Sequence, residues 1–407
     1  MSARQRIAYS FIVALSLTFG ARASAQPRAR SVTLVAALAA AGRAPALRGS
    51  ALRSAAASAD VDAAGGLPPT SFSIATTSAT ARFLMAGSIP LPVFGTVGAS
   101  TRVARAGVEV ARAEQRAASV DLRFRIASAW IELARSEQRV TLVSAVAERA
   151  ATLATIARRR FDEGDAPRAE SVSAGAAAAR SVAAGISSRA EVAATSSTLA
   201  GLLGWEPTLL LHAEGGLPDV DDAASLRSLA AAGQVRPSIE LAEARSRAAS
   251  AELNQAARAR WPQLSLEGEI ALSDATLPGD DFRGGLAIAL PLFSGLGDAE
   301  RAADIRHSAA LAELQAERRS ARAELVAAYR RWEGAAVAAR TLESDVLPAT
   351  REAETLARRA YEEGATALVS VLDAERALAE VELELVDARA AAALARAALD
   401  FSAGARP

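Results

Sequence analysis

The sequence lacks cysteine and lysine altogether. Its 46 basic residues are all arginine, and 46 acidic residues balance them to a formal net charge of zero. Without cysteine there are no disulfides, no thiolate metal ligands and no N-terminal cysteine to carry a lipid. Zero net charge gives no reason to expect a nucleic-acid partner or an acidic substrate. The two histidines, His212 and His307, stand far apart, so no metal site is expected. No G-x-S-x-G, glycine-rich phosphate loop or paired catalytic histidine occurs, so neither an enzyme nor a cofactor is expected. Beyond residue 25 no run of about 18 apolar residues exists, which leaves no helix to span a membrane.

What is present begins with a secretion signal. Arg4 and Arg6 supply the basic end, residues 7–19 an apolar run, and Ala23-Ser24-Ala25 before Gln26 a cleavage site. The mature chain is therefore expected to be exported. Residues 31–64 read as helical, interrupted at Pro45 and ended by Gly65-Gly66-Leu67-Pro68-Pro69. Two short strands are expected over 71–77 and 82–92, then helices over 98–160 and 167–203. Residues 206–221, rich in Gly, Pro and Asp, read as a linker. Helices over 222–231 and 237–260 lead to a strand over 263–272, a turn around Pro278-Gly279-Asp280-Asp281, and a partner strand over 284–292. In the strand over 263–272, Leu264, Leu266, Gly268 and Ile270 fall on one face; Ser265, Glu267 and Glu269 fall on the other.

A very long helical pattern then spans 297–360, on the order of 95 Å at 1.5 Å per residue. Its stripe runs Ala321, Leu325, Ala328, Trp332, Ala335, Ala339, Leu342, Val346, Ala349, Ala353, Leu356, Ala360 in alternating steps of three and four, the seam of a coiled coil. Pro348 removes a backbone donor, so a kink or helix junction is expected near it. Trp130, Tyr329 and Trp332 read as packing residues.

The whole pattern occurs twice. Pro92 and Phe94 match Pro291 and Phe293 at an offset of 199, as Ala129-Trp130 matches Ala328-Tyr329. Arg159, Phe161, Glu163 and Gly164 match Arg359, Tyr361, Glu363 and Gly364 at 200, and Leu199 and Gly204 match Leu399 and Gly404 at 200. A near-constant offset over more than a hundred residues marks a duplicated half. The expected organisation is a signal over 1–25, a first repeat over 26–205, a linker over 206–221, a second repeat over 222–404 and a tail over 405–407. The fold class is mainly α with a small β part. Four strands per chain, each near the ~9–11 residues of a tilted membrane strand, can cross a bilayer only in a closed barrel. Four cannot close a pore alone, so several copies must share one barrel.

These residues resemble the TolC family of outer-membrane efflux channels. The likeness covers the mature chain and lies in the paired tips FDEG at 161–164 and YEEG at 361–364. It extends to GATALVSVLDAERAL from Gly364, the junctions LPVFG and LPLFSG, and Arg236-Pro237 opening a helix. The stretch ALRGSALRSAAASADVDAAGGLPPTSFSI is similar to the heavy-metal efflux subgroup. The resemblance implies a homotrimer with a twelve-stranded outer-membrane β-barrel in lipid, continued by a periplasmic α-barrel. It implies a periplasmic adaptor and an inner-membrane pump as partners, and small molecules, drugs or metal ions as cargo. It places adaptor docking at the tips, on Arg159, Phe161, Gly164, Arg359, Tyr361 and Gly364. Asp373, nine residues past Gly364, is a candidate gate residue; Ser370 stands where relatives carry a second Asp, and Glu170 is a weaker candidate. Glu267 and Glu269 are expected to face the pore lumen. For Asp373 the competing reading is an ordinary exposed helix residue. For the chain it is an exported coiled-coil scaffold without channel activity, which would have no use for duplicated strand pairs.

Overall fold

The computed structural model describes residues 29–66, 69–76, 83–219, 236–272, 281–291 and 295–404. The expected secretion signal, the Leu67-Pro68 break, the helix over 222–231, most of the turn at 278–281, residues 292–294 of the second strand-to-helix junction and the 405–407 tail lie outside them. The first half contains β1 (Arg30–Val32), α1 (Leu34–Ala41), a short 3-10 turn (Pro45–Leu47) and α2 (Arg48–Gly65). The strands β2 (Ser71–Ala75) and β3 (Phe83–Leu91) follow, then α3 (Thr96–Asp162) and α4 (Arg168–Leu203). The strand β4 (Leu211–Ala213) precedes the second half. That half runs α5 (Pro237–Ala259), β5 (Gln263–Leu272), β6 (Asp281–Ala289), α6 (Leu296–Thr341), a π-helical turn (Leu342–Val346), α7 (Leu347–Glu362) and α8 (Leu368–Ser402). Helix, strand pair, long helix, tip and returning helix thus occur twice. At 67 residues α3 is about 100 Å long.

The four expected strands form one antiparallel sheet in the order β2-β3-β5-β6. Two further strands were not expected. Residues 30–32, of which 31 and 32 were read as helical from sequence, pair in parallel with β4, which lies within the expected linker. The cause is tertiary. Trp130 Nε1 on α3 donates to the Val32 carbonyl at 2.7 Å, and the Arg30 guanidinium lies 4.1 Å over the Trp205 ring. Nothing local announces that anchor. Thr33 then caps α1 by accepting from the Ala36 N–H at 3.1 Å, and Pro45 opens the 3-10 turn. Val32, Trp130, Leu133, Leu199 and Leu211 share one buried cluster where the repeats meet β1 and β4.

The stripe on the long second helix holds as far as the π turn and then changes face. Ala321, Leu325, Ala328, Trp332 and Ala339 are buried, with Ala336 in place of Ala335. Beyond it Leu347, Glu354 and Tyr361 are buried, while Ala349, Ala353 and Leu356 are exposed. The interruption expected near Pro348 is this turn, in which Leu347 N–H donates five residues back to the Leu342 carbonyl. One added residue rotates everything downstream by about 100°. It also accounts for the repeat offset, which is 199 at Trp130/Tyr329 and 200 at Phe161/Tyr361. Trp130 and Trp332 are packing residues as expected, at 2% and 7% exposure.

The expectation that no helix could span a membrane needs amending. One 18-residue window of α3 reaches a mean hydropathy of 1.4, long and apolar enough by composition to cross a bilayer, with 17% of it buried. It is one part of a helix that packs along much of its length against α4, α5, α2 and α8.

Candidate functional site

The two tips are built alike. At the first, Gly164 has φ 84°, the Gly164 N–H donates to the Phe161 carbonyl at 3.0 Å and the Asp165 N–H to the Arg160 carbonyl at 2.8 Å. At the second, Gly364 has φ 76°, with Gly364 N–H to the Tyr361 carbonyl at 3.0 Å and Ala365 N–H to the Ala360 carbonyl at 2.7 Å. This is the left-handed C-terminal cap, and a side chain at either glycine would be strained. Arg159, Arg359 and both glycines are exposed, as are Asp162, Glu163, Glu362 and Glu363, so each tip presents a short corner of mixed charge.

The two aromatics were expected to be equivalent, and the structure separates them. Phe161 is 38% exposed; Tyr361 is 1% exposed. Tyr361 fills a socket made by Leu153, Ala157 and Ala174 of the first hairpin with Leu368 and Val371 of the second. Its hydroxyl donates to Glu170 Oε2 at 3.3 Å. Arg160 Nη1 donates to the Tyr361 carbonyl at 3.0 Å, and its guanidinium lies 4.6 Å from the ring centroid. Burial first, and then the Glu170 carboxylate, push the Tyr361 hydroxyl above its ordinary pKa against the pull of Arg160. Tyr361 therefore joins the hairpins rather than presenting itself, and Arg160, not Arg159, crosses between them.

Above the tip lies a charged cluster that sequence reasoning passed over. Arg358 on α7 donates to Glu354 through Nε at 2.8 Å and through Nη2, and Nη2 also reaches Glu375 on α8. Glu354 and Glu375 are 7% and 8% exposed. Burial pushes the Glu375 carboxyl above the usual carboxylate range; Arg358 pulls it down and Glu354 pushes it up. One layer further on, Glu382 at 9% exposure accepts from Arg149 on α3 at 3.0 Å. The signal was present in the sequence. Glu354 sits between Leu347 and Tyr361 at steps of seven, and Glu375 and Glu382 fall on the buried stripe of Val371, Leu378 and Leu385. A carboxylate on such a stripe implies a buried partner.

The gate candidates lie on an open surface of the chain. The Asp373 side chain is 65% exposed and 3.5 Å from Arg376 one turn on. Ser370 is exposed and its hydroxyl lies 3.2 Å from that of Thr366. Among the described residues no group of three or more His, Asp or Glu is placed to hold a metal ion.

The sheet separates its faces as the alternation required. Ser71, Ser88, Glu267 and Gly285 form one row across it; Ser73, Ala86, Glu269 and Arg283 form the next. These two rows line one polar hollow. The opposite face carries Phe72, Ile74, Ile89, Leu266, Leu286 and Ile288, at 42–69% exposure. That face is apolar and uncovered. Phe282 lies across it at Gly284, and the glycines Gly87, Gly268 and Gly284 stand in one row.

Residues 229–405 match the family described as outer membrane efflux protein. Among solved structures, the chain is similar to the outer membrane protein VceC from Vibrio cholerae, at 21% identity and TM-score 0.77, covering 91% of this chain and 96% of that one. It is similar to the outer-membrane channel OprN at 21% identity and TM-score 0.79, covering 92% and 91%. It is also similar to the open state of the Neisseria gonorrhoeae MtrE outer membrane channel, at 21% identity and TM-score 0.72, covering 91% and 89%. At these identities the likeness shows a shared fold. No curated relative matches the chain significantly.

Proposed function

We propose, from the match of residues 229–405 to the outer membrane efflux protein family, that this chain is a trimeric channel of a Gram-negative outer membrane. It serves as the exit duct of a tripartite system, receiving small molecules, drugs or metal ions from an inner-membrane pump through a periplasmic adaptor. One observation carries the reading: a four-stranded sheet with an apolar face exposed along its length and a polar face behind it. Such a face suits lipid, but lipid tolerates no open strand edge. The edges of β2 and β6 must therefore be closed by other strands. Two copies would give about eight strands, an interior that side chains fill; three give about twelve and leave a passage. The polar rows with Glu267 and Glu269 then line the lumen, and the apolar rows meet lipid. The duplicated halves 26–205 and 222–404 continue this barrel as helical hairpins into the periplasm.

The exposed corner residues Arg159, Phe161, Gly164, Arg359 and Gly364 form the surface for the adaptor, while Tyr361 holds the tip closed. A scaffold without channel activity would gain nothing from the two-faced sheet. The test is light scattering in detergent combined with planar-bilayer conductance. A particle of three chains that conducts is expected. A monodisperse monomer that conducts overturns the trimer, and a trimer that floats with liposomes but never conducts overturns the channel.

Asp373 supplies a further test. Three copies around one axis would bring three carboxylates together near the tip, where they repel one another and attract cations. Ser370 leaves the neighbouring ring neutral. Asp373→Ala is expected to weaken cation selectivity and block by multivalent cations applied from the tip side. Equal reversal potentials and block in both proteins would place Asp373 on a solvated outer face.

A further inference from the structure

A hollow of about 340 Å³ opens between α4 and α8, with α3 beneath it. Small-molecule sites run from about 300 to 1,000 Å³, so this one has room for a ligand of one or two rings. Val146 and Ala150 of α3, Ala177 of α4 and Leu372 of α8 form an apolar floor, each buried or half-buried. Arg180 of α4 and Arg376 of α8 are exposed and stand at its mouth. The floor is hollow because two of its residues are alanine; a longer side chain at either would fill it.

The charges at this hollow are unbalanced. Among the described residues that line it, Glu375 is the one carboxylate, and it is buried and held by Arg358. Arg180 forms no ion pair or hydrogen bond with any described residue. Arg376 has Asp373 at 3.5 Å, with the two side chains 61% and 65% exposed. A pair that open contributes little and parts easily. The repeat does not account for Arg180, because its counterpart at an offset of 200 is Glu380, exposed and of opposite sign. A guanidinium presents a planar fork of donors that matches a carboxylate or sulfonate. Two of them over an apolar floor suit a molecule with an apolar body and an anionic head.

We infer that this hollow binds amphiphilic organic anions, the apolar body lying on Val146, Ala150, Ala177 and Leu372 and the head meeting Arg180 and Arg376. The inference deepens the channel reading and rests on it for its meaning, since it names a class of cargo and a place where that cargo pauses. The hollow opens on the side of α3 turned away from β1 and β4. Trp130 and Glu137 meet those strands, while Arg139, two residues on and so across the helix, reaches Asp387 of α8. Val146 and Ala150 follow Arg139 at steps of seven and four, on the same face. Arg376 at the mouth has the gate candidate Asp373 as its partner, so the hollow opens toward the passage that Asp373 faces. Arg180 then gives an anion one favourable stop beside acidic groups that would otherwise repel it.

The test is titration calorimetry on the full protein in lipid nanodiscs, with empty nanodiscs as the blank. The probes are naphthalenesulfonate, naphthalenemethanol and naphthylmethylammonium, which share one apolar body and differ in the charge of the head. The sulfonate is expected to bind, and to bind more tightly than the alcohol or the amine. Arg180→Glu, at an exposed position without partners, is expected to weaken the sulfonate by roughly tenfold or more, the size of a charged contact. Ala177→Leu, which fills the floor, is expected to weaken all three probes. Arg125→Glu, an exposed arginine about 30 Å along α3 from Val146, makes the same change of charge and is expected to leave binding unchanged. Absence of sulfonate binding, equal binding of sulfonate and alcohol, or an Arg180→Glu protein that titrates like wild type overturns the site. Any of these in a preparation that conducts as a trimer leaves the channel reading standing. Sulfonate binding as expected in a preparation that never conducts keeps the site and removes the passage it was to serve.

Discussion

Arg358→Leu is expected to destabilise the protein by about 3–5 kcal/mol, the cost of leaving a buried charge without its partner. Arg358 is shared between two carboxylates, Glu354 and Glu375, both under 10% exposed. Removing it leaves two like charges facing each other in a desolvated layer, and neither can turn to water without parting α7 from α8. Replacing all three residues by leucine is expected to restore most of the loss, because the desolvation of the ions disappears with them. The pH dependence follows from Glu375, whose folded-state pKa is raised. The folded chain takes up a proton there before the unfolded chain does. Stability tied to this residue is therefore lowest when Glu375 is ionised, and it rises as pH falls through the folded pKa. Without the downward pull of Arg358 that pKa moves further up, so the deficit of Arg358→Leu is expected to shrink on mild acidification. Thermal and denaturant unfolding in detergent, followed by far-UV circular dichroism, measures both effects. A deficit under about 0.5 kcal/mol, or one that grows in acid, sinks the account.

Much of this architecture was legible because its signals are periodic. The alternation of Leu264 to Ile270 with Ser265 to Glu269 placed the sheet faces. The three-four stripe placed the long helix, and the repeated aromatic-x-x-Gly placed both tips. What the sequence concealed depends on contacts between distant segments. The strand at Arg30–Val32 exists because Trp130, 98 positions away, bonds to it. The unequal burial of Phe161 and Tyr361 is invisible in two matching tetrapeptides, because it reflects which neighbouring hairpin the chain itself supplies. The change of face after Leu342 needed only arithmetic. An offset that grows from 199 to 200 within a helix requires the helix to absorb one residue, and a π turn ahead of Pro348 is how it does so.

Tyr361→Ala is expected to open the tip. The ring is 1% exposed, and truncating a buried aromatic costs about 3–5 kcal/mol. Leu153, Ala157 and Ala174 belong to one hairpin and Leu368 and Val371 to the other, so the loss falls on the contact between hairpins. Each hairpin keeps its own cap and its own helix pairing, so the variant should still fold and assemble. If open and closed tips are in equilibrium, about 3 kcal/mol shifts their ratio by roughly a hundredfold. A channel that dwells closed would then dwell open. Tyr361→Phe keeps the ring and removes the bond to Glu170; a neutral-to-charged hydrogen bond contributes about 1.5–3 kcal/mol, so its shift is expected to be smaller, on the order of tenfold to a hundredfold. Glu170→Gln, which keeps an acceptor but loses the charge, should fall nearest wild type. The ordering Ala, Phe, Gln in single-channel open probability separates a clamp from mere packing, since packing alone would leave Tyr361→Phe and Glu170→Gln indistinguishable from wild type. Equal open probability in wild type and Tyr361→Ala, with trimer mass unchanged, would show that the contact joining these hairpins does not hold the passage shut.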